Sequence, residues 1–170
     1  KQFKIFNELS YEIESKLGVD TIKHILNTSG IENYIDHSLD MVRLGIGLYG
    51  ISKNERLSNV ASLVSKISKI RNILEGDYIG YGINNIAKKD ITIAIIPIGY
   101  ADGFSRLFGN GKGHVWINNS IHPTVGNICM DMMFIDISNK NIKVNDRVEI
   151  FGINYSIIKM TKSINTIPYE

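Results

Sequence analysis

The pattern of hydrophobic residues changes near residue 50, and this change constrains the fold more than any other feature of the sequence. Upstream of it, apolar residues recur at helical spacing over 3–17, and Gly18 is predicted to end that helix. Residues 21–27 predict a short buried strand. Residues 29–36, SGIENYID, predict one or two helical turns capped by the first serine. This order of helix, strand and helix is typical of the end of an α/β domain.

Downstream of residue 59 the pattern predicts a mostly-β domain. Short apolar or alternating runs are separated by turn signals such as GNGKG and SNKN. The polar segment 52–59 is the predicted crossing between the domains. The predicted β runs are LVSKISKIR, DYIGYG, ITIAIIPIG, HVWIN, PTVGNI, MMFIDI and RVEIFG.

Composition excludes several classes of function. The formal charge of +2 comes without a clustered basic face, which argues against nucleic-acid binding. Cys129 is the only cysteine, so an internal disulfide or a Cys-rich zinc site is excluded, and we expect no metal. No apolar run approaches the roughly 20 residues of a membrane helix, and no signal-peptide pattern opens the chain. We therefore expect a cytoplasmic protein, and the first residue, a lysine, fits a piece of a longer one.

The first cluster of chemical interest combines NTSG, 27–30, with VRLGIGLYG, 42–50. Arg43 interrupts an apolar run, where its guanidinium is costly to bury without acceptors. Gly45 allows close approach of a ligand to the backbone, and bare amides beside the Thr28 hydroxyl would suit a phosphate. A glycine-rich turn with a surface arginine explains the same residues equally well.

The second cluster is EGDYIGYG, 75–82, in which Tyr81 stands between two glycines. The stretch predicts a turn that leads into a strand. Tyr81 is then either an aromatic residue of the sheet or a phenol that takes part in chemistry.

Two further clusters follow apolar strands. IPIGYADGFSR places Tyr100, Asp102 and Arg106 after a strand, as in a site at a sheet edge or in a hairpin turn. VGNICMDMMFIDIS places Cys129 between two β runs, where a packed thiol is a more usual interpretation than a nucleophile. Its methionines are interpreted as core or interface residues.

Taken in order, these clusters resemble the C-terminal portion of the pyridoxal-phosphate-dependent alanine racemases. The resemblance implies an N-terminal (β/α)8 barrel followed by a C-terminal β domain. Residues 1–51 would be the end of an incomplete barrel, and residues 52–170 the β domain. The matching motifs are NTSG, MVRLGIGLYG, EGDYIGYG, IPIGYADGFSR, VGNICMDM, VNDRVEIFG and NTIPYE.

The resemblance also implies roles for individual residues. Tyr81 falls on the tyrosine that is one of two acid–base groups at the substrate Cα, and Arg43 on the arginine that faces the pyridine nitrogen of the cofactor. Tyr100 and Met130 fall on residues that line the substrate end of the site, with Asp131 adjacent. The positions that hold the cofactor phosphate are Thr28, where the family usually has serine, Gly45, Ile46 and Tyr169.

The resemblance further implies a homodimer in which the β domain of one subunit completes the site of the other. The family function is interconversion of L- and D-alanine, which supplies D-alanine for peptidoglycan. The family's Schiff-base lysine lies in an AYGHG-type motif, and this motif does not occur here. We therefore expect the chain alone to be inactive. A racemase with broader specificity, for example for serine, and a non-catalytic β association module stay as alternatives.

Overall fold

The structure, a computed structural model, describes residues 1–52, 57–83, 85–138 and 141–169. These residues form two compact units, Lys1–Val60 and Ala61–Glu170. Part of the predicted crossing at 52–59, namely 53–56, lies outside the described residues. The division into domains at residue 51 stays a prediction.

The first unit begins with the predicted helix. Helix α1 spans Gln2–Leu17 and ends at Gly18, which adopts φ 67° and donates its N–H to the Glu14 carbonyl at 2.8 Å. A left-handed residue at this position favours glycine. No residue of α1 is buried, although apolar side chains such as Leu9 and Ile13 lie on it.

The prediction of a strand at 21–27 is wrong. The segment makes isolated backbone hydrogen bonds, from Met41 N–H to the Lys23 carbonyl at 3.2 Å and from Arg43 N–H to the Leu26 carbonyl at 2.8 Å. A strand needs a continuous ladder with a neighbour, and the described part of this unit contains no strand.

The predicted helical turns are present but begin earlier than expected. Helix α2 spans Thr28–Asn33, and its N-cap is Asn27, whose side chain accepts the Gly30 N–H. Asn27 lies in the extended region, which an N-cap requires, whereas Ser29 is already helical. Short 3-10 helices follow at Ile35–His37 and Ile46–Tyr49.

The second unit is a curled, fully antiparallel sheet with strand order β1-β7-β4-β5-β6-β3-β2. The outer strands β1 and β2 are joined by Ile67 and Ser68 alone, so the sheet curls until its edges approach each other. The strands are β1 Leu63–Lys66, β2 Lys69–Ile73, β3 Ile91–Ile96, β4 His114–Ile117, β5 Ser120–Val125, β6 Met133–Asp136 and β7 Arg147–Phe151, and helix α3 follows at Ile157–Lys162.

One predicted strand, DYIGYG, is not a strand. It forms a single bridge between Tyr78 and Ile86, within the long connection 74–90 between β2 and β3. Gly80 adopts φ 67° and Gly82 adopts φ 100°, and these values interrupt an extended chain. The other predicted β runs each overlap a strand, and LVSKISKIR overlaps two, although PTVGNI covers only the last three residues of β5.

Two apolar clusters stabilise the sheet. The larger fills the inside of the curl with fully buried residues such as Ile96, Ile135 and Ile150. The smaller lies under the connection 74–90 and includes Cys129 and Phe134. A Cβ on Gly80 would lie 2.5 Å from Phe134 Cε2, so the connection packs closely on β6.

Neither a membrane-crossing helix nor a metal-ligand cluster occurs among the described residues. No helix there has the length and apolar character needed to cross a bilayer. No group of three or more His, Cys, Asp or Glu side chains among them is placed to hold a metal ion.

Candidate active site

Tyr81 has a fixed backbone and an exposed side chain. The carbonyl oxygen of Tyr81 accepts hydrogen bonds from Asn85 Nδ2 at 2.8 Å and from Asn127 Nδ2 at 3.0 Å. The side chain is 75% exposed. The phenol is thus presented outward from an anchored turn, and the interpretation of Tyr81 as an aromatic residue within a strand is wrong.

The thiol of Cys129 lies beneath this turn. Burial raises the pKa of Cys129; a hydrogen bond from the Tyr81 backbone lowers it by less than burial raises it, and the charge of Asp131 makes the smallest contribution, which raises it. Cys129 is 3% exposed. The interpretation as a packed thiol is confirmed, because a buried thiol with a raised pKa is a poor nucleophile.

Tyr100 and Met130 lie on two segments that the backbone holds together. Tyr100 N–H donates to the Cys129 carbonyl at 3.0 Å, and Ala101 N–H donates to the Met130 carbonyl at 2.9 Å. A Cβ on Gly99 would lie 2.4 Å from both of these carbonyl oxygens, so this approach requires glycine. The side chains of Tyr100 and Met130 are both exposed.

Register explains why these segments meet. Ile96 ends β3 and pairs with Met133, which begins β6. The residues after β3 and the residues before β6 therefore emerge at the same end of the sheet. Asp131, in the second segment, is exposed. Within the described part of the chain, the Met130 N–H has no hydrogen-bond acceptor.

Asp102 and Arg106 support Tyr100 rather than forming a hairpin. Residues Tyr100–Asp102 make a 3-10 turn, and the Asp102 carboxylate accepts the Gly99 N–H at 2.9 Å. The Arg106 guanidinium carbon lies 5.8 Å from the centroid of the Tyr100 ring. A cation at this distance from an aromatic face is attracted to it.

In the first unit, the Thr28 hydroxyl organises the glycine-rich turn. Thr28 is 7% exposed, and its Oγ1 accepts the N–H of Gly45 at 3.0 Å and the N–H of Gly47 at 3.2 Å. A Cβ on Gly47 would lie 2.8 Å from Thr28 Cγ2. Ile46, between the two glycines, begins a 3-10 helix. The structure therefore brings Thr28, Gly45 and Ile46 together, and their assignment to a cofactor phosphate stays a prediction.

Arg43 lies beside this turn on the wall of an open cleft of about 670 Å³. Its Nη2 donates to the Ile25 carbonyl at 3.4 Å, and the residue is exposed. Asn27 and Tyr34 line the same cleft. Tyr169 belongs to the second unit, beyond α3, and its side chain is 68% exposed.

Sequence reasoning missed Asn85 and Asn127. Both asparagines lie beside glycine-rich segments, where a turn is the ordinary interpretation. Their contact with the Tyr81 carbonyl depends on how the connection 74–90 folds back, and no local spacing signals it.

Comparison with known proteins covers the whole chain. The model for the alanine racemase C-terminal domain matches residues 60–170, and the model for the alanine racemase N-terminal domain matches residues 1–53. Alanine racemase 1 of Oceanobacillus iheyensis is 39% identical over 182 residues, with 100% of this chain and 48% of the relative covered. Alanine racemase of Methanococcus maripaludis is 36% identical, with 99% of this chain and 48% of the relative covered.

Solved structures agree with these matches. Clostridium difficile alanine racemase in complex with cycloserine superposes with a TM-score of 0.80 at 35% identity, over 94% of this chain and 44% of that one. Bartonella henselae alanine racemase with covalently bound pyridoxal phosphate superposes with a TM-score of 0.80 at 32% identity, over 96% of this chain and 47% of that one. The chain spans about half the length of the curated relatives it matches and aligns with their C-terminal portion. The predicted fold class is confirmed, and the chain belongs to the alanine racemase family.

Proposed function

We propose that the protein to which this chain belongs interconverts L-alanine and D-alanine with pyridoxal 5'-phosphate as cofactor. Residues 1–51 would supply the last part of its barrel, and residues 52–170 its β domain. The observation that carries the proposal is the exposed phenol of Tyr81, held on a turn by two side-chain amides. Membership of the alanine racemase family supports the same reaction.

The residues of the first unit fit the cofactor. Arg43 lines a cleft of about 670 Å³, which is ample for a pyridine ring with one phosphate. The Thr28 oxygen accepts two backbone N–H groups, and no described residue accepts its hydroxyl proton, which is therefore available to a phosphate oxygen. Thr28, Gly45 and Ile46 would hold the phosphate, and the assignment of Tyr169, in the second unit, to the phosphate stays a prediction. The relative from Bartonella henselae carries covalently bound pyridoxal phosphate.

Arg43 would face the pyridine nitrogen. The bound cofactor supplies a sink for the negative charge left when a proton leaves the substrate Cα. A guanidinium is a donor without an acceptor and keeps its positive charge, so Arg43 would disfavour protonation of the nitrogen that it faces. The result is a weaker sink, which shortens the life of the charged state and limits side reactions.

Tyr81 would move the proton on one face of the Cα. Racemisation removes a proton from one face and returns one to the other, so two groups must flank the carbon. Tyr81 supplies one of them, and the second would be a lysine in the part of the protein that precedes this chain. The Met130 N–H would bind the substrate carboxylate, and Tyr100 and Asp131 would close the small end of the site.

The remaining parts of the proposal concern assembly and cellular role. Tyr81, Tyr100 and Met130 would complete the site of a second copy in a homodimer. This chain alone would be inactive, since it lacks the lysine-bearing half. The whole enzyme would act in the cytoplasm and would supply D-alanine for the synthesis of peptidoglycan.

The direct test is Tyr81→Phe in the full-length enzyme. We expect turnover to fall by about 100- to 10,000-fold, the usual contribution of a positioned acid–base group. The absorbance of the bound cofactor should stay unchanged, because Tyr81 lies outside the predicted phosphate site.

Tyr78→Phe is the matched control. Tyr78 lies in the same connection and is 62% exposed, so the substitution makes the same chemical change in a similar setting. It should leave turnover within about two-fold. Turnover of Tyr81→Phe within a few-fold of the parent would show that Tyr81 is not the acid–base group.

A further inference from the structure

We propose that Asn127 is a positioning residue that fixes Tyr81 against the segment carrying Met130. The inference rests on the proposed function, because it assumes that the Tyr81 phenol takes part in the reaction. Asn127 acts through the Tyr81 backbone and needs no contact with the substrate.

The carbonyl of Tyr81 is the point of attachment. A carbonyl oxygen has two lone pairs, and here both are used, by Asn85 Nδ2 at 2.8 Å and by Asn127 Nδ2 at 3.0 Å. Asn85 belongs to the same connection as Tyr81, so its bond shapes the turn from within. Of these two bonds, the one from Asn127 comes from another segment of the chain.

The turn needs such a bond because its own backbone is permissive. Gly80 and Gly82 flank Tyr81 with φ of 67° and 100°, and neither has a side chain that packs. The Tyr81 side chain is 75% exposed and contributes little packing of its own. Hydrogen bonds to the backbone therefore decide where the phenol lies.

Asn127 is itself held in a defined orientation. Its Oδ1 accepts a hydrogen bond from Asn110 Nδ2 at 3.1 Å, so its NH2 group is turned toward the Tyr81 carbonyl. The backbone beside it is anchored as well, since Asn110 N–H donates to the Gly126 carbonyl at 2.8 Å. A Cβ on Gly126 would lie 3.0 Å from the Ile79 carbonyl oxygen, which shows how closely the two segments approach.

Asn127 also lies three residues before Met130. The same short segment thus contacts Tyr81 through the Asn127 side chain and contacts the Tyr100 segment through the Cys129 carbonyl. Tyr81, Tyr100 and Met130 are therefore linked through the segment 126–132. A displacement of about 1 Å in a reacting group can reduce a rate by about 100-fold.

The test is Asn127→Asp in the full-length holoenzyme. The new side chain has the same shape, but it has no donor and places a negative charge against the Tyr81 carbonyl. We expect kcat to fall by about 10- to 100-fold, with KM within about two-fold and the cofactor absorbance unchanged. Backbone hydrogen exchange should accelerate in the segment 78–86.

The pH dependence separates positioning from general damage to the fold. A protonated carboxyl has one O–H donor and can restore a bond to the Tyr81 carbonyl. The difference in kcat between Asn127→Asp and the parent enzyme should therefore become smaller as the pH falls. A loss of packing would not recover in this way.

Asn72→Asp is the matched control. The Asn72 Oδ1 accepts a hydrogen bond from Thr92 Oγ1 at 3.0 Å on the β2–β3 pair, and a carboxylate can accept the same bond. The change in charge is identical, and turnover should stay within about two-fold. If Asn127→Asp does not fold, Asn110→Asp replaces it, because it removes only the bond that orients Asn127. A smaller deficit in kcat is expected there, again without a change in KM.

The outcomes separate the hydrogen bond from Asn127 to the Tyr81 carbonyl, called the tether below, from its effect on catalysis. If Asn127→Asp changes neither kcat nor backbone hydrogen exchange in 78–86, the tether does not hold the turn. If hydrogen exchange in 78–86 is faster but kcat is unchanged, the tether has no role in catalysis. If Tyr81→Phe keeps its turnover, the proposed function fails, whereas the exchange measurement still tests the tether. A loss in Tyr81→Phe together with full activity in Asn127→Asp would overturn the positioning role alone.

Discussion

Thr28→Val tests the phosphate-binding turn, because it removes one hydroxyl from a buried position without changing the shape of the side chain. Two backbone N–H groups, those of Gly45 and Gly47, lose their acceptor. Of the two, the Gly47 N–H is buried whereas Gly45 is exposed, and leaving one buried donor without a partner costs about 1 to 3 kcal/mol in unfolding free energy. A hydrogen bond to the charged phosphate, worth about 1.5 to 3 kcal/mol, is lost as well. The loss of this hydrogen bond alone predicts a weakening of cofactor binding by about 10- to 150-fold.

The assay is titration of the cofactor-free, full-length enzyme with pyridoxal phosphate, followed by absorbance. Thr28→Ser is the control, since it keeps the hydroxyl and should bind the cofactor within about three-fold of the parent. Binding by Thr28→Val within two-fold of the parent, with equal thermal stability, would refute the assignment of Thr28 to the phosphate site.

Three further predictions concern stability, assembly and specificity. Glu149, 4% exposed, accepts hydrogen bonds from the backbone N–H groups of Asn154 and Tyr155 and from Asn154 Nδ2. Burial raises the pKa of Glu149, but these hydrogen bonds and a nearby arginine together lower the pKa below its ordinary value of 4.5. The stabilisation that ionised Glu149 gives the fold is therefore complete above pH 4.5 and is lost as the pH falls through the lowered pKa. Thermal unfolding of Glu149→Gln should show that the free energy of unfolding is about 2 to 3 kcal/mol lower than that of the parent at neutral pH, with a smaller difference in acid. Equal stability of the two proteins at neutral pH would contradict this. Mixing inactive Arg43→Glu and Tyr81→Phe subunits should restore activity, because one site of each mixed dimer is intact; no recovery after confirmed subunit exchange would argue against a shared site. Alanine should be racemised faster than serine by at least about ten-fold, since the site closes on a small side chain, and equal rates would support the broader specificity.

The sequence was informative where local chemistry decides structure. Helix α1 and its end at Gly18 follow from helical spacing and a left-handed glycine, and the β runs follow from alternation. The irregular conformation of residues 21–27 could not be predicted. An apolar run does not show whether a neighbouring segment is placed to form a hydrogen-bonded ladder with it. Helix α3, Ile157–Lys162, cannot be predicted from its sequence pattern, because six residues are too few for a clear helical period.

The candidate site divides in the same way. The assignment of Tyr81 and Arg43 came from motifs shared with a family, and the structure adds the environment of each residue. Asn127 lies 46 positions from Tyr81 in sequence, and its role depends on a connection that folds back over Phe134. Contacts of this kind are set by tertiary packing, so the supporting residues of a site are harder to predict than its reactive ones.

The central claim is that Tyr81 moves the proton on one face of the substrate Cα. Its most direct test is the entry of solvent deuterium into the Cα of L-alanine and of D-alanine, measured separately with full-length Tyr81→Phe. The account predicts that exchange from one enantiomer falls by at least about 100-fold, whereas exchange from the other, which the second base drives, persists. Exchange from both enantiomers at the parent's rates would contradict it.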